Sequence, residues 1–217
     1  MIKSAIFDID GTLLDSSPVW EELGERFLLA YGVKPHRGLS DRLLRLSLKD
    51  GAALLSREYT VDMSAEEILA GLKRIISDFY CFEALPKRGA AELLRALSER
   101  GISMSLATAG DERLSRAALT RLDMIKYFKG LASCEKYGGK SSPEIFIAAA
   151  QMAGGTAEKT IVFEDSLHAA ETAKRAGFAV AAVRDIGEPE QSKLCDTADY
   201  YMDSLAEYAE KIDDIIR

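Results

Sequence analysis

Beyond residue 86 the chain alternates short apolar stretches with longer amphipathic ones. The apolar stretches have the length of strands: ISMSLAT at 102–108, TIVFED at 160–165, FAVAAVRD at 178–185 and ADYYMDS at 198–204. The stretches between them carry apolar residues at helical spacing, as in HAAETAKRAG at 168–177. Strands that alternate with helices predict an α/β fold with a doubly wound parallel sheet.

A long segment without strands interrupts this alternation. The stretch IKSAIFDI at 2–9 predicts a strand, and the next predicted strand begins only at Ile102. A strand–helix–strand crossover takes only about 30 residues. We therefore predict an α/β catalytic core formed by 1–15 and 86–217, with an inserted all-helical cap at 16–85.

The inserted segment carries one strong signal for the start of a helix. Ser64 stands before the stretch AEEILAGLKRIISDFY, and Glu67 follows three residues later. This spacing predicts a capping box, in which each side chain accepts a hydrogen bond from the other residue's backbone N–H. Apolar residues then recur at helical spacing, so we predict a helix that begins directly after Ser64.

Composition narrows the possible functions. Of the 217 residues 47% are hydrophobic, and the net charge is −7, whereas nucleic-acid binding requires a basic face. The cysteines Cys81, Cys134 and Cys195 form neither a zinc pattern nor a disulfide framework. No apolar run reaches the roughly 18 residues of a membrane span. We expect a cytoplasmic protein without nucleic-acid or membrane partners, and its oligomeric state stays open.

Two carboxylates directly follow the first predicted strand. In AIFDIDGTLLDSS at 5–17 the apolar run stops at Asp8, and Asp10 comes two residues later. Neighbouring carboxylates repel each other unless a positive group lies between them. Because ligands of open α/β sheets bind outside the carboxyl ends of the strands, both acids are candidate site residues.

The ends of other predicted strands bring more polar groups to the same edge. Thr108 ends one strand, Glu164 and Asp165 end another, and Lys140 lies in the loop KYGGKSSPE before a predicted helix. The hard oxygens of carboxylates suit magnesium. Magnesium together with one lysine would neutralise the charge of a bound phosphate group. A carboxylate can also attack the phosphorus of such a group. Each residue alone is more often a turn, cap, strand-end or solvated loop residue, so the prediction depends on their occurrence together.

A nucleotide-binding P-loop is a competing interpretation of GGKS at 138–141. That motif requires another glycine five residues before the glycine that precedes its lysine. The position is Cys134, so the sequence disfavours this interpretation.

Four segments in order match the motifs of one enzyme family. DIDGTLLDS matches the first motif, LATAG the second, GGKSSPEIF the third, and FEDS with AKRAG the fourth. The chain thus resembles the haloacid dehalogenase-like hydrolase superfamily, in the subgroup with a helical cap after the first motif. This subgroup includes phosphoglycolate phosphatases and β-phosphoglucomutase-like enzymes. The match covers nearly the whole chain outside the helical insert.

The resemblance implies a role for each matching residue. Asp8 would be the nucleophile that takes up the phosphoryl group, and Asp10 would protonate the leaving oxygen and then deprotonate the attacking water. Thr108 and Lys140 would hold the phosphoryl oxygens. Magnesium would be bound by Asp8, the backbone carbonyl of Asp10 and Asp165, with Glu164 close by.

The implied function is a magnesium-dependent phosphatase, a phosphoric monoester hydrolase that acts on a small phosphorylated metabolite through an aspartyl-phosphate. Two alternatives stay open, a sugar-phosphate mutase of the β-phosphoglucomutase type and a non-catalytic phosphosugar-binding regulator. Against the mutase, Trp20 stands where such enzymes usually carry a histidine, and Asp41 where they tend to have an arginine. Ala109, Ser141 and Ala169 replace the usual Asn, Pro and Gly, which removes no charged group but leaves the substrate open.

Overall fold

The chain divides into two units in the computed structural model, which describes residues 1–217. The first unit contains Met1–Asp15 and Leu85–Arg217, and the second contains Ser16–Ala84. The first unit is built on a parallel sheet, so the predicted α/β class is confirmed. The second unit contains helices and no strand. Its role as a cap stays a prediction.

Eight strands form two sheets. In chain order they are β1 (Ser4–Phe7), β2 (Leu14–Asp15), β3 (Leu85–Pro86), β4 (Ser103–Thr108), β5 (Phe128–Ser133), β6 (Thr160–Glu164), β7 (Ala179–Val183) and β8 (Tyr200–Met202). Six of them form a parallel sheet in the order β5-β4-β1-β6-β7-β8, whereas β2 pairs with β3. The chain adds strands on one side of β1 as far as β5 and then returns to its other side with β6. The carboxyl end of β1 therefore lies at the switch point where such sheets bind ligands.

Helices account for most of the remaining residues. In chain order they are α1 (Ser17–Ala30), α2 (Leu39–Leu43), α3 (Leu48–Glu58), α4 (Ala65–Asp78), α5 (Ala90–Glu99), α6 (Glu112–Arg121), α7 (Cys134–Tyr137), α8 (Glu144–Met152), α9 (Leu167–Arg175), α10 (Gln191–Thr197), α11 (Leu205–Glu210) and α12 (Ile212–Ile215). A π-helical turn covers Phe79–Glu83, and 3-10 turns cover Ile125–Tyr127 and Ala157–Lys159. None of the helices combines the length and the apolar character that crossing a bilayer requires.

The central strands β1 and β6 are buried along their whole length. Phe7 of β1 stacks on Phe163 of β6 with 4.4 Å between the ring centroids, and Tyr208 meets Phe163 edge-on at 5.3 Å. Parallel strands that are covered on both faces carry continuous apolar runs, which is the pattern from which both strands are predicted. This packing holds the residues that follow each strand in place.

The sequence pattern does not predict β5. Its residues FKGLAS include a charged Lys129 and a glycine, and only its last part is buried, because it is an edge strand of the sheet. A Cβ at Gly130 would lie 2.7 Å from Sδ of Met152. The glycine therefore lets α8 approach β5 closely, a contact that leaves no periodic signal.

The helical unit has a packed interior of its own. Glu67 N–H donates to Ser64 Oγ at 3.3 Å and Ser64 N–H donates to the Glu67 carboxylate at 2.8 Å, so the predicted capping box at α4 is confirmed. A Cβ at Gly71 of α4 would lie 2.5 Å from the ring of Phe27 of α1. The missing side chain thus allows these two helices to pack closely.

The chain passes between the two units through the antiparallel pair of β2 and β3, here called the crossing ribbon. Leu14 pairs with Pro86, and Asp15 pairs with Leu85. Directly after β3, Lys87 N–H donates to the carbonyl oxygen of Leu13 at 2.9 Å. The two crossing segments are therefore joined to each other by backbone hydrogen bonds rather than running separately.

Candidate active site

A polar cavity of about 460 Å³ lies at the carboxyl ends of β1 and β6. Its lining comes from the segments that follow the parallel strands, and it consists of Asp8, Asp10, Ala109, Cys134, Gly139, Lys140, Ser141, Glu164, Asp165, Ser166 and His168. Five of the six residues predicted to form the site are among them; Thr108 is not.

Asp8 and Asp10 are held by the end of β1 and by a tight turn. Asp8 is buried, and its backbone N–H donates to the carbonyl oxygen of Phe163 at 3.0 Å, which extends the pairing of β1 with β6 by one residue. Gly11 follows with a φ of +83°. A Cβ at Gly11 would lie 2.3 Å from Oδ2 of Asp165. Glycine is thus required by the backbone conformation and by the close approach of that carboxylate.

The Lys140 ammonium group is buried between two carboxylates. It donates to Oδ1 of Asp8 and to Oε1 of Glu164. Burial by itself lowers the pKa of Lys140, but the negative charges of Asp8, Glu164 and Asp165 outweigh burial and raise that pKa above its ordinary value. Lys140 therefore remains protonated and supplies a fixed positive charge beside Asp8.

Glu164 and Asp165 are both held by hydrogen bonds where β6 ends. Oε2 of Glu164 accepts the backbone N–H groups of Asp165 at 2.9 Å and of Ser166 at 3.0 Å. Oδ1 of Asp165 accepts the hydroxyl of Thr12 at 2.7 Å. With one oxygen on Lys140 and the other on two N–H groups, Glu164 fixes the shape of the turn that presents Asp165.

Three acids form a cluster with the character of a metal site, and of these Asp8 and Glu164 are buried and Asp165 is half-buried. Oxygen atoms of Asp8, Glu164 and Asp165 all lie within 4.8 Å of one another. Burial raises the pKa of Asp8 to about 7, a shift that Lys140 opposes and that Glu164 and Asp10 increase. Burial, together with Glu164 and Asp8, also raises the pKa of Asp165 well above its ordinary value. One ammonium group does not balance these carboxylates, and their hard oxygens suit a divalent cation.

Thr108 lies next to the cavity rather than in its lining. It is fully buried, and its hydroxyl oxygen accepts the backbone N–H of Gly110 at 2.9 Å. The Cβ position of Gly110 lies 3.3 Å from Oγ1 of Thr108 and 2.9 Å from Oδ2 of Asp10. Thr108 and Asp10 therefore approach the same face of Gly110. A side chain at Gly110 would therefore crowd both of these oxygens.

Several contributors to the site were not assigned from the sequence. Thr12 lies inside the first motif, so its position in that motif was the available signal. Ser141 and His168 share a hydrogen bond of 3.1 Å between Oγ and Nε2 at the cavity rim. Glu188 accepts the backbone N–H of Leu167 at 2.8 Å. No local pattern marks Glu188, because its partner is 21 residues away in the chain.

The comparison with protein-family models identifies one family. The model described as haloacid dehalogenase-like hydrolase matches residues 2–177. This range includes all six of the predicted site residues and the whole helical unit.

Curated and solved proteins similar to this chain come from several organisms. The phosphorylated carbohydrates phosphatase of Thermotoga maritima is 29% identical over 182 residues, which are 82% of each chain. Hexitol phosphatase B of Escherichia coli K12 is 28% identical over 180 residues, 81% of this chain and 80% of that one. A crystal structure from Thermotoga maritima, provisionally named beta-phosphoglucomutase, has a TM-score of 0.84 at 26% identity and covers 99% of this chain and 100% of that one.

Replacing Gly11 by alanine tests the close approach of Asp165. Gly11 and Gly101 both have a left-handed φ, but a Cβ at Gly101 has nothing within 4 Å. Both alanine variants should lower the free energy of unfolding by about 1–2 kcal/mol through backbone strain. Only Gly11→Ala should also weaken binding of a divalent cation, by about tenfold or more, because it displaces Asp165. Urea unfolding measures the change in stability, and Mn²⁺ titration measures the change in cation affinity. Equal cation affinity in both variants would show that displacing Asp165 from Gly11 does not affect cation binding, which contradicts the prediction.

Proposed function

The chain belongs to the haloacid dehalogenase-like hydrolase family, and on this premise we propose that it is a magnesium-dependent phosphatase that acts on a small phosphorylated metabolite through an aspartyl-phosphate at Asp8. The observation that carries the proposal is the buried contact between the Asp8 carboxylate and the Lys140 ammonium group inside an acidic cavity. A nucleophilic carboxylate beside a fixed positive charge suits attack on a phosphate ester. The curated relatives described above carry the names of phosphatases, and two of those names refer to carbohydrates or hexitols.

In the first step an oxygen of Asp8 attacks phosphorus. A bond forms between that oxygen and phosphorus, the bond from phosphorus to the leaving oxygen breaks, and Asp10 donates a proton to the leaving oxygen. In the second step Asp10 takes a proton from a water molecule, and the water oxygen attacks phosphorus. The bond between phosphorus and the Asp8 oxygen breaks, which releases inorganic phosphate and regenerates the Asp8 carboxylate. Asp10 therefore ends the cycle in the state in which it began, as an acid–base pair requires.

Lys140 has two functions in this scheme. It favours the anionic form of Asp8, which burial alone would disfavour. It also lies close enough to hold a phosphoryl oxygen when that group is bonded to Asp8. Thr108 and the backbone around Gly110 are proposed to contact the remaining phosphoryl oxygens from the side of Asp10.

Magnesium is proposed to bind to Asp8, the backbone carbonyl of Asp10 and Asp165, with Glu164 close by. When bound, the metal supplies positive charge that offsets the negative charge developing on the phosphoryl oxygens. Both oxygens of Glu164 already have partners, so Glu164 serves chiefly to hold Lys140 and the turn that carries Asp165.

A mutase is the second candidate, because the similar crystal structure from Thermotoga maritima is provisionally named beta-phosphoglucomutase. Trp20 stands where such enzymes usually carry a histidine, and tryptophan offers neither an acceptor nor a titratable proton. We therefore favour hydrolysis. With β-glucose 1-phosphate and a trace of the 1,6-bisphosphate as substrates, glucose 6-phosphate forming much faster than phosphate would identify a mutase instead.

Replacing Asp8 by asparagine tests the proposed nucleophile. The amide keeps the shape of the side chain but cannot form the covalent intermediate, so turnover of p-nitrophenyl phosphate should fall by at least about a thousandfold. The fold should persist, because one of several mutually repelling buried carboxylates is removed. Asp196→Asn, which changes an exposed aspartate of the same unit, should keep full activity. Near-normal turnover in Asp8→Asn would refute the mechanism.

Binding of Mg²⁺ should weaken as the pH falls below about 7. The pKa of Asp8 in the folded protein is raised to about 7, so protons compete with the cation for this carboxylate at and below that pH. Affinity should therefore be highest above pH 7 and should decrease between pH 7 and 6. Calorimetry in two buffers of different ionisation enthalpy should show proton release on binding at pH 7. A pH-independent affinity without proton release would contradict the proposed metal ligands.

A further inference from the structure

Lys87 and Asp185 form a nearly buried ion pair that the proposed reaction does not use. Nζ of Lys87 lies 2.6 Å from Oδ2 of Asp185, and the two side chains are 16% and 3% exposed. The same ammonium group donates to the carbonyl oxygen of Arg184 at 3.3 Å. Removing charges from water is unfavourable unless both partners are well bonded, so the contact has a strongly preferred geometry.

The position of Lys87 joins this ion pair to the crossing ribbon. Lys87 is the first residue after β3, and its backbone N–H is bonded to Leu13, the residue directly before β2. Its side chain therefore connects the ribbon to the segment that follows β7, which begins with Arg184 and Asp185.

The segment 185–191 is held in one shape by its own hydrogen bonds. Gly187 N–H donates to Oδ1 of Asp185 at 2.8 Å. The side-chain amide of Gln191 donates to the carbonyl oxygen of Asp185 and, at 3.0 Å, to that of Glu188. Because of these bonds, the position of Asp185 determines the position of Glu188.

Glu188 in turn reaches the segment 164–167, here called the acidic loop. Its Oε2 accepts the backbone N–H of Leu167, the first residue of α9, at 2.8 Å. The first N–H groups of a helix have no partner within the helix. Ser166 occupies the N-cap position but makes no side-chain cap bond. Glu188 therefore supplies the missing cap of α9 from a distant segment. The capped residue, Leu167, lies two residues after Asp165.

The other ribbon strand has its own connection to the acidic loop. The hydroxyl of Thr12, two residues before β2, donates to Oδ1 of Asp165 at 2.7 Å. The acidic loop is therefore bonded to the β2 side through Thr12 and to the β3 side through Glu188, Asp185 and Lys87. Together with the pairing of β2 and β3, these contacts form a closed ring.

We propose that Lys87, Asp185 and Glu188 are positioning residues that hold the acidic loop in register with the crossing ribbon, so that the affinity of Asp165 for a divalent cation depends on the ribbon. None of the three lines the cavity, so they act through Asp165 and not on the substrate. The proposal rests on the metal role of Asp165 in the proposed function. Groups that orient a metal ligand typically change metal affinity by about 10- to 100-fold when removed.

The first test compares two variants of Glu188 in the full chain. Mn²⁺ binding, measured by electron paramagnetic resonance without substrate, should weaken by about tenfold or more in Glu188→Ala. Glu188→Gln should stay within about threefold of the wild type, because its amide oxygen still accepts the N–H of Leu167. Asp213→Ala removes an exposed ion pair with Arg100 in the same unit and should bind Mn²⁺ like the wild type. Thermal unfolding of each variant separates loss of affinity from loss of fold.

The second test replaces the ion pair as a unit. Lys87→Met with Asp185→Asn leaves no buried charge unpaired, and the asparagine oxygen can still accept Gly187 N–H. This double variant should also weaken Mn²⁺ binding by about tenfold. Adding Glu188→Ala should bring little further loss, because all three residues act along one path.

The outcomes separate this proposal from the proposed function. A wild-type protein that binds neither Mn²⁺ nor Mg²⁺ would refute the metal site itself. If the wild type binds Mn²⁺ and Glu188→Ala binds it with the same affinity, the metal site stands and only the positioning role is refuted. The positioning role is also refuted if the losses of Mn²⁺ affinity in the variant that combines all three substitutions are fully additive. Equal losses of Mn²⁺ affinity in Glu188→Ala and Glu188→Gln would refute it as well. If Glu188→Ala does not fold, the same question is decided by comparing the Mn²⁺ affinity of the double variant Lys87→Met with Asp185→Asn to that of the control Asp213→Ala.

Discussion

One buried ammonium group makes the acidic site of this protein possible. Asp8, Glu164 and Asp165 bring oxygen atoms within 4.8 Å of one another, where burial and mutual repulsion both favour protonated carboxyl groups. Lys140 bonds two of the three acids and opposes this effect. It does so only in part, since the pKa of Asp8 is still raised to about 7. The negative charge that remains is what a divalent cation would balance, so the proposed nucleophile and the proposed metal site depend on the same charges.

The sheet topology brings these charges together. β1 lies between β4 and β6, so Asp8 and the acidic loop emerge side by side at one edge. Lys140 reaches Asp8 from 132 residues away in the chain. The return of the chain from β5 to β6 on the opposite side of β1 creates the crevice that the cavity occupies. Strand β2 of the crossing ribbon begins three residues after Gly11, and Thr12, which lies between them, donates its hydroxyl to Asp165.

The α/β class, the family and the capping box at Ser64 could be predicted because each depends on local or periodic features of the sequence. Strand β5 could not, because an edge strand with Lys129 and Gly130 lacks the continuous apolar run of β1 or β6. The convergence of polar residues at the strand ends was predicted, and five of them line one cavity. Thr108 lies beside that cavity, where its hydroxyl oxygen accepts the N–H of Gly110, and its proposed contact with the phosphoryl group stays a prediction. The catalytic and metal-binding roles of these residues stay predictions.

By itself the sequence determined which chemical groups are present and which strand ends carry them, because strands and their polar termini are specified by neighbouring residues. Only the tertiary structure decided which of these groups touch. The bond from Leu167 N–H to Glu188, the ion pair of Lys87 with Asp185, and the approach of Asp165 to the backbone of Gly11 all join segments that are distant in the chain. Such contacts are selected by how the segments pack around the sheet, and packing depends on the whole core rather than on any local pattern.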